Sequence, residues 1–346
     1  MNILIFSDLH VHAHEDFSYL LDNGLNSRLS DCLDVITKVR YYAEKYNCGA
    51  VIHVGDLFHT PRAVPTLVFQ ETYKKFEILT KKENMSLILL AGNHDKPLLS
   101  RDSKPASSVY AFNKLPRTHV VAAGPKSIGI EFNDGSKPLI VHAVPFYEDG
   151  KLVKKYIKGF NIDHRLSSLL IFHQGVSEAT VGPNEIRLDC AMGVKDLRTK
   201  DFDYIFAGHY HHPQRLSDNM MMVGSPIQHN MLDRDSKRGI IIYDTEKKSV
   251  KRIWLKGTNF HLFEVNGHSD VDRLKQFLPE FEDDYVRILI KTKIVLLSVL
   301  EGIMKRSKAR RYEIRLAITS ETKTRNEELT SSVIGKQGTV SDTMDT

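Results

Sequence analysis

The sequence predicts a layered α/β fold that gives way, late in the chain, to a small α+β module. Three observations carry this. First, Ile3–Phe6, Ala50–Ile52, Leu87–Leu90, Leu169–Phe172 and Tyr204–Phe206 are short, near-continuous runs of large apolar residues, the pattern of strands buried on both faces. Second, each run ends in a polar segment rich in acids, amides and histidines, and layered α/β folds place their sites at that C-terminal edge of the strands. Third, the character of the chain changes near Gly257, after which strand and helix patterns alternate over a much shorter span.

The elements follow in order. After the Ile3 strand, His12 to Asn26 reads as a polar loop. Ser27 or Ser30 can cap a helix running to about Tyr46, with Leu29, Leu33, Ile36, Val39 and Ala43 on one stripe. The Ala50 strand precedes a helix from about Pro65 to Lys82. The Leu87 strand precedes a Pro-punctuated stretch, Lys96 to Pro116, with a short helix around Ser107–Asn113. Val120–Ala123, Ser127–Phe132 and Leu139–Ala143 read as strands, with Asn133-Asp134-Gly135 as a hairpin turn between the last two. A basic stretch, Lys151 to Lys158, leads to the Leu169 strand. Beyond the Tyr204 strand, Met220–Val223, Gly239–Tyr243 and Val250–Leu255 add further strands.

Past Gly257, Phe260–Val265, Val286–Lys291 and Tyr312–Ile318 read as strands, and Val271–Phe277 and Val295–Lys305 as helices. Together they make a β-α-β-α-β module. From Thr330 the chain is Ser, Thr, Gly and Asp with few large apolar residues, so a disordered tail is expected. The expected domains are therefore 1–257, 258–329 and a tail at 330–346.

Composition narrows the function. The 346 residues, 41% hydrophobic, suffice for a full core and a second, smaller domain. With Lys+Arg 48 against Asp+Glu 43 the net charge is +5, compatible with a polyanionic partner without demanding one. Cys32, Cys48 and Cys190 are too few and too scattered for a disulfide framework or a Cys-rich zinc site, which favours a reducing compartment. No apolar run approaches the roughly 20 residues of a membrane span. Asp8 and His10 interrupt the N-terminus too early for a signal peptide. A cytoplasmic protein with no membrane partner is expected.

The five polar segments are Asp8-Leu9-His10, Gly55-Asp56-Leu57-Phe58-His59, Gly92-Asn93-His94-Asp95, Phe172-His173-Gln174 and Gly208-His209-Tyr210-His211. Asp8, His10, Asp56, Asn93, His173, His209 and His211 offer a mixed oxygen and nitrogen set. That set suits Mn2+, Fe2+ or Zn2+ better than Ca2+, which prefers oxygen throughout. Asp56 is the natural bridge between two ions, since Gly55 before it lets the backbone come close. A two-metal cage of this kind activates water against a phosphate ester. His12 and His14 read as loop residues, His53 and His142 as packed or locally hydrogen-bonded, and His212 as a neighbour of the ligands.

The series DxH, GDxxH, GNHD, H and GHxH resembles the calcineurin-like metallophosphoesterases, and within them the SbcD-type DNA repair nucleases. The motifs span Asp8 to His211, and the compact length is similar to the versions found in tailed bacteriophages. The resemblance implies a layered β-sandwich flanked by helices, the metallophosphoesterase fold, with a small α+β capping domain. It implies two divalent ions, Mn2+ first, with Mg2+, Fe2+ or Zn2+ as alternatives. Asp8, His10, Asp56 and His211 would hold one ion, and Asp56, Asn93, His173 and His209 the other. His94 would protonate the leaving oxygen, Asp95 would orient His94 through a hydrogen bond, and His59 would assist.

Protein phosphatases of the superfamily carry GDxxDR and GNHE. Here His59 stands where that Asp would be, no Arg follows, and Asp95 replaces the Glu, which favours the nuclease branch. The implied function is a DNA exonuclease and endonuclease; the competing reading is a metallophosphatase or small phosphodiesterase acting on a protein or nucleotide.

Implied partners are double- and single-stranded DNA and an SMC-like, SbcC-type ATPase whose usual docking segment looks curtailed here. A homodimer is also implied, through Pro65–Phe76 and Pro97–Phe112, where Val64, Leu67, Val68, Leu98, Leu99 and Val109 would serve either as contacts or as internal packing. Lys305, Arg306, Lys308, Arg310 and Arg311, with Arg287, Lys291, Lys293 and Arg315 nearby, are candidates for contacts to backbone phosphates.

Overall fold

A computed structural model describes residues 1–82, 85–97 and 106–317, together with the backbone of 333–335. The chain divides into two units. One comprises Met1–His14, Leu20–His229 and Ser236–Gly257; the other takes Thr258 onward together with Glu15–Tyr19 and Asn230–Asp235.

In the first unit the strands are β1 (Asn2–Phe6), β2 (Cys48–Val54), β3 (Ser86–Leu90), β4 (Thr118–Val121), β5 (Lys126–Ile130), β6 (Leu139–Val144) and β7 (Ser167–His173). They continue with β8 (Thr180–Val181), β9 (Ile186–Arg187), β10 (Tyr204–Gly208), β11 (Gln214–Ser217), β12 (Met220–Met222), β13 (Gly239–Asp244) and β14 (Ser249–Trp254). The helices are α1 (Ser27–Lys45), α2 (Thr66–Thr80) and α3 (Gly150–Gly159). One six-stranded sheet runs β14-β13-β1-β2-β3-β4 and a second runs β11-β12-β10-β7-β6-β5, while β8 and β9 form a hairpin of their own. β1, β2, β3 and β4 are mutually parallel, as are β6, β7, β10 and β12.

The unbroken apolar runs are explained by burial on both faces. Ile3, Ile5, Ile52, Ile88 and Leu90 meet Val141, Leu169, Ile171 and Phe206 in a core between the sheets. The alternate residues Leu4, Phe6, Val51, Leu87 and Leu89 face Leu29, Ile36, Val39, Val68 and Phe76 of α1 and α2. On the second sheet, Leu170, Phe172, Ile205 and Ala207 pack with Val153 and Ile157 of α3. Period-2 alternation sends every other side chain to the opposite layer, so a strand covered on both sides shows no polar face.

One local reading is corrected and one helix is added. α1 is capped by Asn26, whose side chain accepts from the N–H groups of Arg28 and Leu29 at 2.9 and 3.1 Å, while Ser27 lies buried in the first turn. The basic stretch 151–158 is a helix, α3, started by Asp149, whose carboxylate accepts from Lys151 N–H at 2.9 Å. Its apolar pair Val153 and Ile157, four apart, is the buried side of an otherwise lysine-rich element. The Asn133–Gly135 turn joins antiparallel β5 and β6, with Gly135 at φ +79°.

The second unit holds β15 (Phe260–Val265), α4 (His268–Phe277), β16 (Tyr285–Ile290), α5 (Leu297–Met304) and β17 (Arg311–Leu316), in a sheet ordered β15-β16-β17-β18. β15, β16 and β17 are parallel. Leu274, Leu300, Ile303 and Met304 of the two helices close over Val265, Ile288 and Ile290. Phe17 packs edge-on to Phe260 with ring centroids 5.5 Å apart, so the 15–19 segment contributes to this unit's own core. The tail expected at 330–346 lies outside the described residues except for Val333–Gly335, which form β18 and pair antiparallel with β17.

Among the described residues no helix is long and apolar enough to cross a membrane. Of the apolar residues read as a self-contact or as internal packing, Val68 and Val109 are buried in the first unit, which is the second of those readings. Val64 packs on the same core, Leu67 is exposed, and Leu98 and Leu99 lie outside the described residues.

Candidate metal centre

The site is built where β1, β2, β3, β7 and β10 end. Pairing persists for a few residues past β1 and β2. Asp8 N–H donates to Gly55 C=O at 2.9 Å and His10 N–H to Asp56 C=O at 3.0 Å, which locks the first two segments side by side. Asp8, His10, Asp56 and His209 all have positive φ, at 52°, 47°, 58° and 102°. A non-glycine residue in that region stores roughly 1–3 kcal/mol of strain. Four such residues gathered at one rim are held by everything packed beneath them.

Glycines let the segments close up. A Cβ on Gly55 would run into the His173 ring, one on Gly92 into the Asp56 carboxylate, and one on Gly208 into Val54 C=O and Ser7 Oγ. Asp56 sits at the centre. Its Oδ1 accepts the His94 N–H at 2.8 Å, and its Oδ2 lies 3.3 Å from His173 Nε2 and 3.6 Å from His10 Nε2. Asp8 accepts the His209 N–H at 3.0 Å, and His10 Nε2 approaches His211 Nε2 to 3.1 Å. His209 Nδ1 lies 3.0 Å from Asn93 Oδ1.

The donor atoms of Asp8, His10 and His211 all fall within 4.8 Å of one another, as do those of Asp8, Asp56 and His173. All seven residues read as ligands are thus at one rim, with Asp8 and Asp56 between the imidazoles.

Electrostatics show a cage of charges taken out of water. Burial raises the Asp8 carboxyl above its ordinary value. Burial also works against Asp56, yet His173 beside it, with His10 and His94, holds that carboxyl well below the usual range. Burial would lower His173, but Asp56 and Asp8 raise it to about 9. His10 is driven well below its ordinary value and His209 to about 3, both chiefly by burial. Two buried carboxylates favour a cation on the adjacent nitrogen. A proton on His173 is one, and a metal ion in its place another.

His94 and Asp95 differ from expectation. The His94 ring hydrogen-bonds through Nδ1 to the His59 carbonyl oxygen, not to Asp95. The Asp95 carboxylate turns inward and accepts from the N–H groups of Leu57, Phe58 and Gly92 at 3.2, 3.0 and 3.0 Å. The reason is that the turn after β2 leaves two N–H groups pointing into the protein, and Asp95, only 2% exposed, is the acceptor within reach. Burial, with Asp56 nearby, pushes its carboxyl up to about 7. His59 stacks on His94 with ring centroids 5.6 Å apart, and burial lowers it to about 4.

Several contributors went unread. His229 Nε2 donates to Asp8 C=O at 2.9 Å, and its ring stands 5.3 Å from those of His10 and His211. Arg28 donates to His229 C=O at 2.8 Å, and Arg238 to His211 C=O and Ser225 Oγ. The Phe146 ring stacks on His209 at 6.0 Å, while buried Lys96 donates to Phe146 C=O at 2.7 Å. None of these belongs to a spaced motif, so nothing in the sequence marks them. His53 lies edge-on to Phe6 and His142 bonds Ser127 Oγ at 2.9 Å, as read. His12 and His14 stand beside His59, with ring centroids 5.4 and 4.8 Å from it.

The basic run of the second unit is not one solvated face. Lys305 and Arg306 are exposed, Lys308 is exposed and pairs with Glu282 at 3.0 Å, and Arg311 is half-buried. Arg310 is corrected: it turns inward and donates to Thr258 Oγ1 at 2.6 Å and Tyr19 OH at 3.2 Å. Arg287 pairs with Glu313, Lys291 with Glu264 at 2.6 Å, and Arg315 with Glu313 at 2.9 Å.

Comparison with known proteins adds four matches. The profile of a family described as "Calcineurin-like phosphoesterase" matches residues 1–213. The DNA double-strand break repair protein Mre11 of Methanococcus maripaludis is 26% identical over 74% of this chain and 60% of its own. The SbcD subunit of the nuclease SbcCD from Staphylococcus epidermidis is 22% identical over 64% of this chain and 62% of its own. The chain thus spans about three fifths of the length of the curated relatives it matches. Among solved structures, a dimetal phosphatase from Danio rerio is 7% identical, with a TM-score of 0.39, over 70% of this chain and 91% of its own.

Proposed function

Matched over residues 1–213, the chain belongs to the calcineurin-like phosphoesterase family, and from that premise we propose that it is a two-metal DNA nuclease acting on phosphodiester bonds. The family uses a dinuclear metal site, and the residues here fit one. His173 Nε2 is fully buried and faces two carboxylates, Asp56 at 3.3 Å and Asp8 at 4.0 Å. Its Nδ1 meets the Val54 carbonyl at 2.7 Å, the arrangement that presents the other nitrogen to a metal.

Asp8, His10, Asp56 and His211 would hold one ion, and Asp56, Asn93, His173 and His209 the second, with Mn2+ the first choice. When bound, such a pair supplies a water acidified toward neutrality and offsets charge on the phosphate oxygens. The chain's own residues do the rest. His94, fixed by its Nδ1 bond to the His59 carbonyl, has Nε2 to carry the proton that the leaving sugar oxygen needs. His59, near-parallel to it with ring centroids 5.6 Å apart, would assist. Asp95 holds the turns bearing Asp56 and Asn93 together.

The single observation that carries the reading is the placing of the Asp56 carboxylate between the imidazoles of His10 and His173, with the backbone N–H of His94 donating to its other oxygen. The choice of DNA as substrate leans on His59 in the GDxxH segment, on the absence of a following Arg, and on the two relatives named as a repair protein and a nuclease subunit.

The same reading brings a cytoplasmic setting, an SbcC-type ATPase partner and a homodimer to which exposed Leu67 and Tyr110 would contribute. Lys305, Arg306 and Lys308 would serve as phosphate contacts and Arg310 would not. The test is Mn2+-dependent digestion of linear duplex DNA and of an aryl phosphate, by the native protein and by two variants. His94→Ala is expected to keep its metal and lose about 10²–10⁴-fold in turnover, the usual worth of a positioned proton donor. Asp56→Ala is expected to lose metal as well. Turnover of aryl phosphate alone would refute the nuclease, and an active His94→Ala would refute its role.

A further inference from the structure

We propose that His10, His59 and His94 form a third cation site, suited to zinc, whose occupancy shuts the nuclease off. One ring nitrogen of each lies within 4.8 Å of the others. The rings lie close together: His10 is nearly perpendicular to both partners, at 76° to His59 and 89° to His94, while His59 and His94 are within 21° of parallel with centroids 5.6 Å apart.

Each ring also has a nitrogen to give. His94 Nδ1 is engaged with the His59 carbonyl, so its lone pair is on Nε2, the arrangement found when a histidine binds metal. His59 Nδ1 is buried and has no hydrogen-bond partner. His10 belongs to two groups, so filling both at once requires one of its nitrogens for each. Its Nε2 lies 3.1 Å from His211 Nε2, and its Nδ1 is buried without a hydrogen-bond partner. If both nitrogens bind metal, the proton of the neutral His10 ring leaves to solvent.

The donor set decides which ion enters. Asp8, Asp56 and Asn93 bring hard oxygens to the paired centre, whereas this group is imidazole only. Three imidazoles with an open position is a zinc arrangement, and the same site binds manganese far more weakly. The consequence rests on the nuclease reading, because a cation on His94 removes the nitrogen that would carry the proton. An empty site fills faster than an occupied one exchanges, so the first equivalent of zinc would inhibit a manganese-loaded enzyme before zinc, the stronger binder at any such site, replaces the paired ions.

The experiment counts metal by equilibrium dialysis and elemental analysis on the native chain, His59→Ala and His94→Ala, with thermal melting to show that each variant is folded. With zinc, the native chain is expected to bind three ions and each variant two. With manganese alone all three proteins are expected to bind two. One equivalent of zinc added to the native manganese-loaded enzyme, read at once, is expected to lower DNA digestion at least tenfold, with both manganese ions retained. Equal zinc counts in the native chain and both variants would overturn the site, as would zinc inhibition that tracks manganese loss. The proposal is read from the difference between native chain and variants. A native manganese count below two would instead overturn the paired centre.

Discussion

Gly55→Ala tests whether the rim depends on close approach of backbone to ligand. Gly55 has φ +95°, and an added Cβ would meet the His173 ring. That ring has nowhere to go: it is fully buried, its Nδ1 is bonded to Val54 C=O and its Nε2 faces Asp56. The left-handed backbone costs an alanine roughly 1–2 kcal/mol. Overpacking a closed site adds about 1–3 kcal/mol, and the stiffer unfolded chain returns about 0.4–1 kcal/mol. The net loss is therefore about 1–5 kcal/mol.

Gly135→Ala is the control, since Gly135 has φ +79° with nothing within 4 Å of its added Cβ. It should cost about 1 kcal/mol, from strain alone. Denaturant midpoints on both variants, with manganese counted on each, give the comparison. Gly55→Ala should be the less stable and should bind fewer than two ions, because moving His173 removes a donor. Equal midpoints and full manganese in both would refute the argument that His173 is held in place.

His142, away from the rim, is lowered to about 4 by burial and by Arg198. Its ordinary value is higher, so the unfolded chain binds the extra proton first, and stability rises with pH between about 4 and 6.5. In His142→Gln, urea unfolding across that window should show a flatter pH dependence. In the second unit, Arg310→Gln should cost about 1.5–3 kcal/mol, as its bonds to Thr258 and Tyr19 are lost. The Lys305→Gln, Arg306→Gln double variant should leave stability within about 0.5 kcal/mol and reduce the salt slope of DNA binding by about one per lost phosphate contact. An unchanged slope would return that pair to the solvated surface.

The ligands were legible because strand ends are. An apolar run that stops abruptly at Asp8, Gly55, Gly92, His173 or Gly208 marks a sheet edge, and acids and imidazoles at several such edges must meet. The parts that escaped are those whose meaning depends on where a loop returns. His229 and Arg238 reach the rim from a segment with no periodic pattern. The positive φ of Asp8, His10, Asp56 and His209 is invisible because none is a glycine. In the run 305–311 residue type alone reads as a charged face. Yet Ser307 and Ala309 are buried and Arg310 turns inward, so only part of the row meets solvent.

Asp95 shows how a motif can name a residue correctly and still mislead about its work. As the residue after His94 it reads as the group that orients His94. In the folded chain it instead accepts three backbone N–H groups, two from the Asp56 turn and one from Gly92, and it has no bond to the His94 ring. The two roles predict different consequences for Asp95→Asn, a change of nearly constant shape. An orienting carboxylate would leave stability and metal untouched and lower turnover alone.

A brace between turns behaves otherwise, because an amide has one oxygen where the carboxylate had two. Oδ1 serves Phe58, while Oδ2 serves both Leu57 and Gly92. Whichever way the Asn side chain is turned, its NH2 faces at least one backbone N–H, leaving a buried donor unmet at about 1–3 kcal/mol. The turns carrying Asp56 and Asn93 then part slightly. Manganese affinity should fall about 10–100-fold, the usual cost of removing a group that supports metal ligands, and turnover should recover when manganese is raised to saturation. Turnover that stays low at saturating manganese, with native stability, would restore the orienting role and remove the brace.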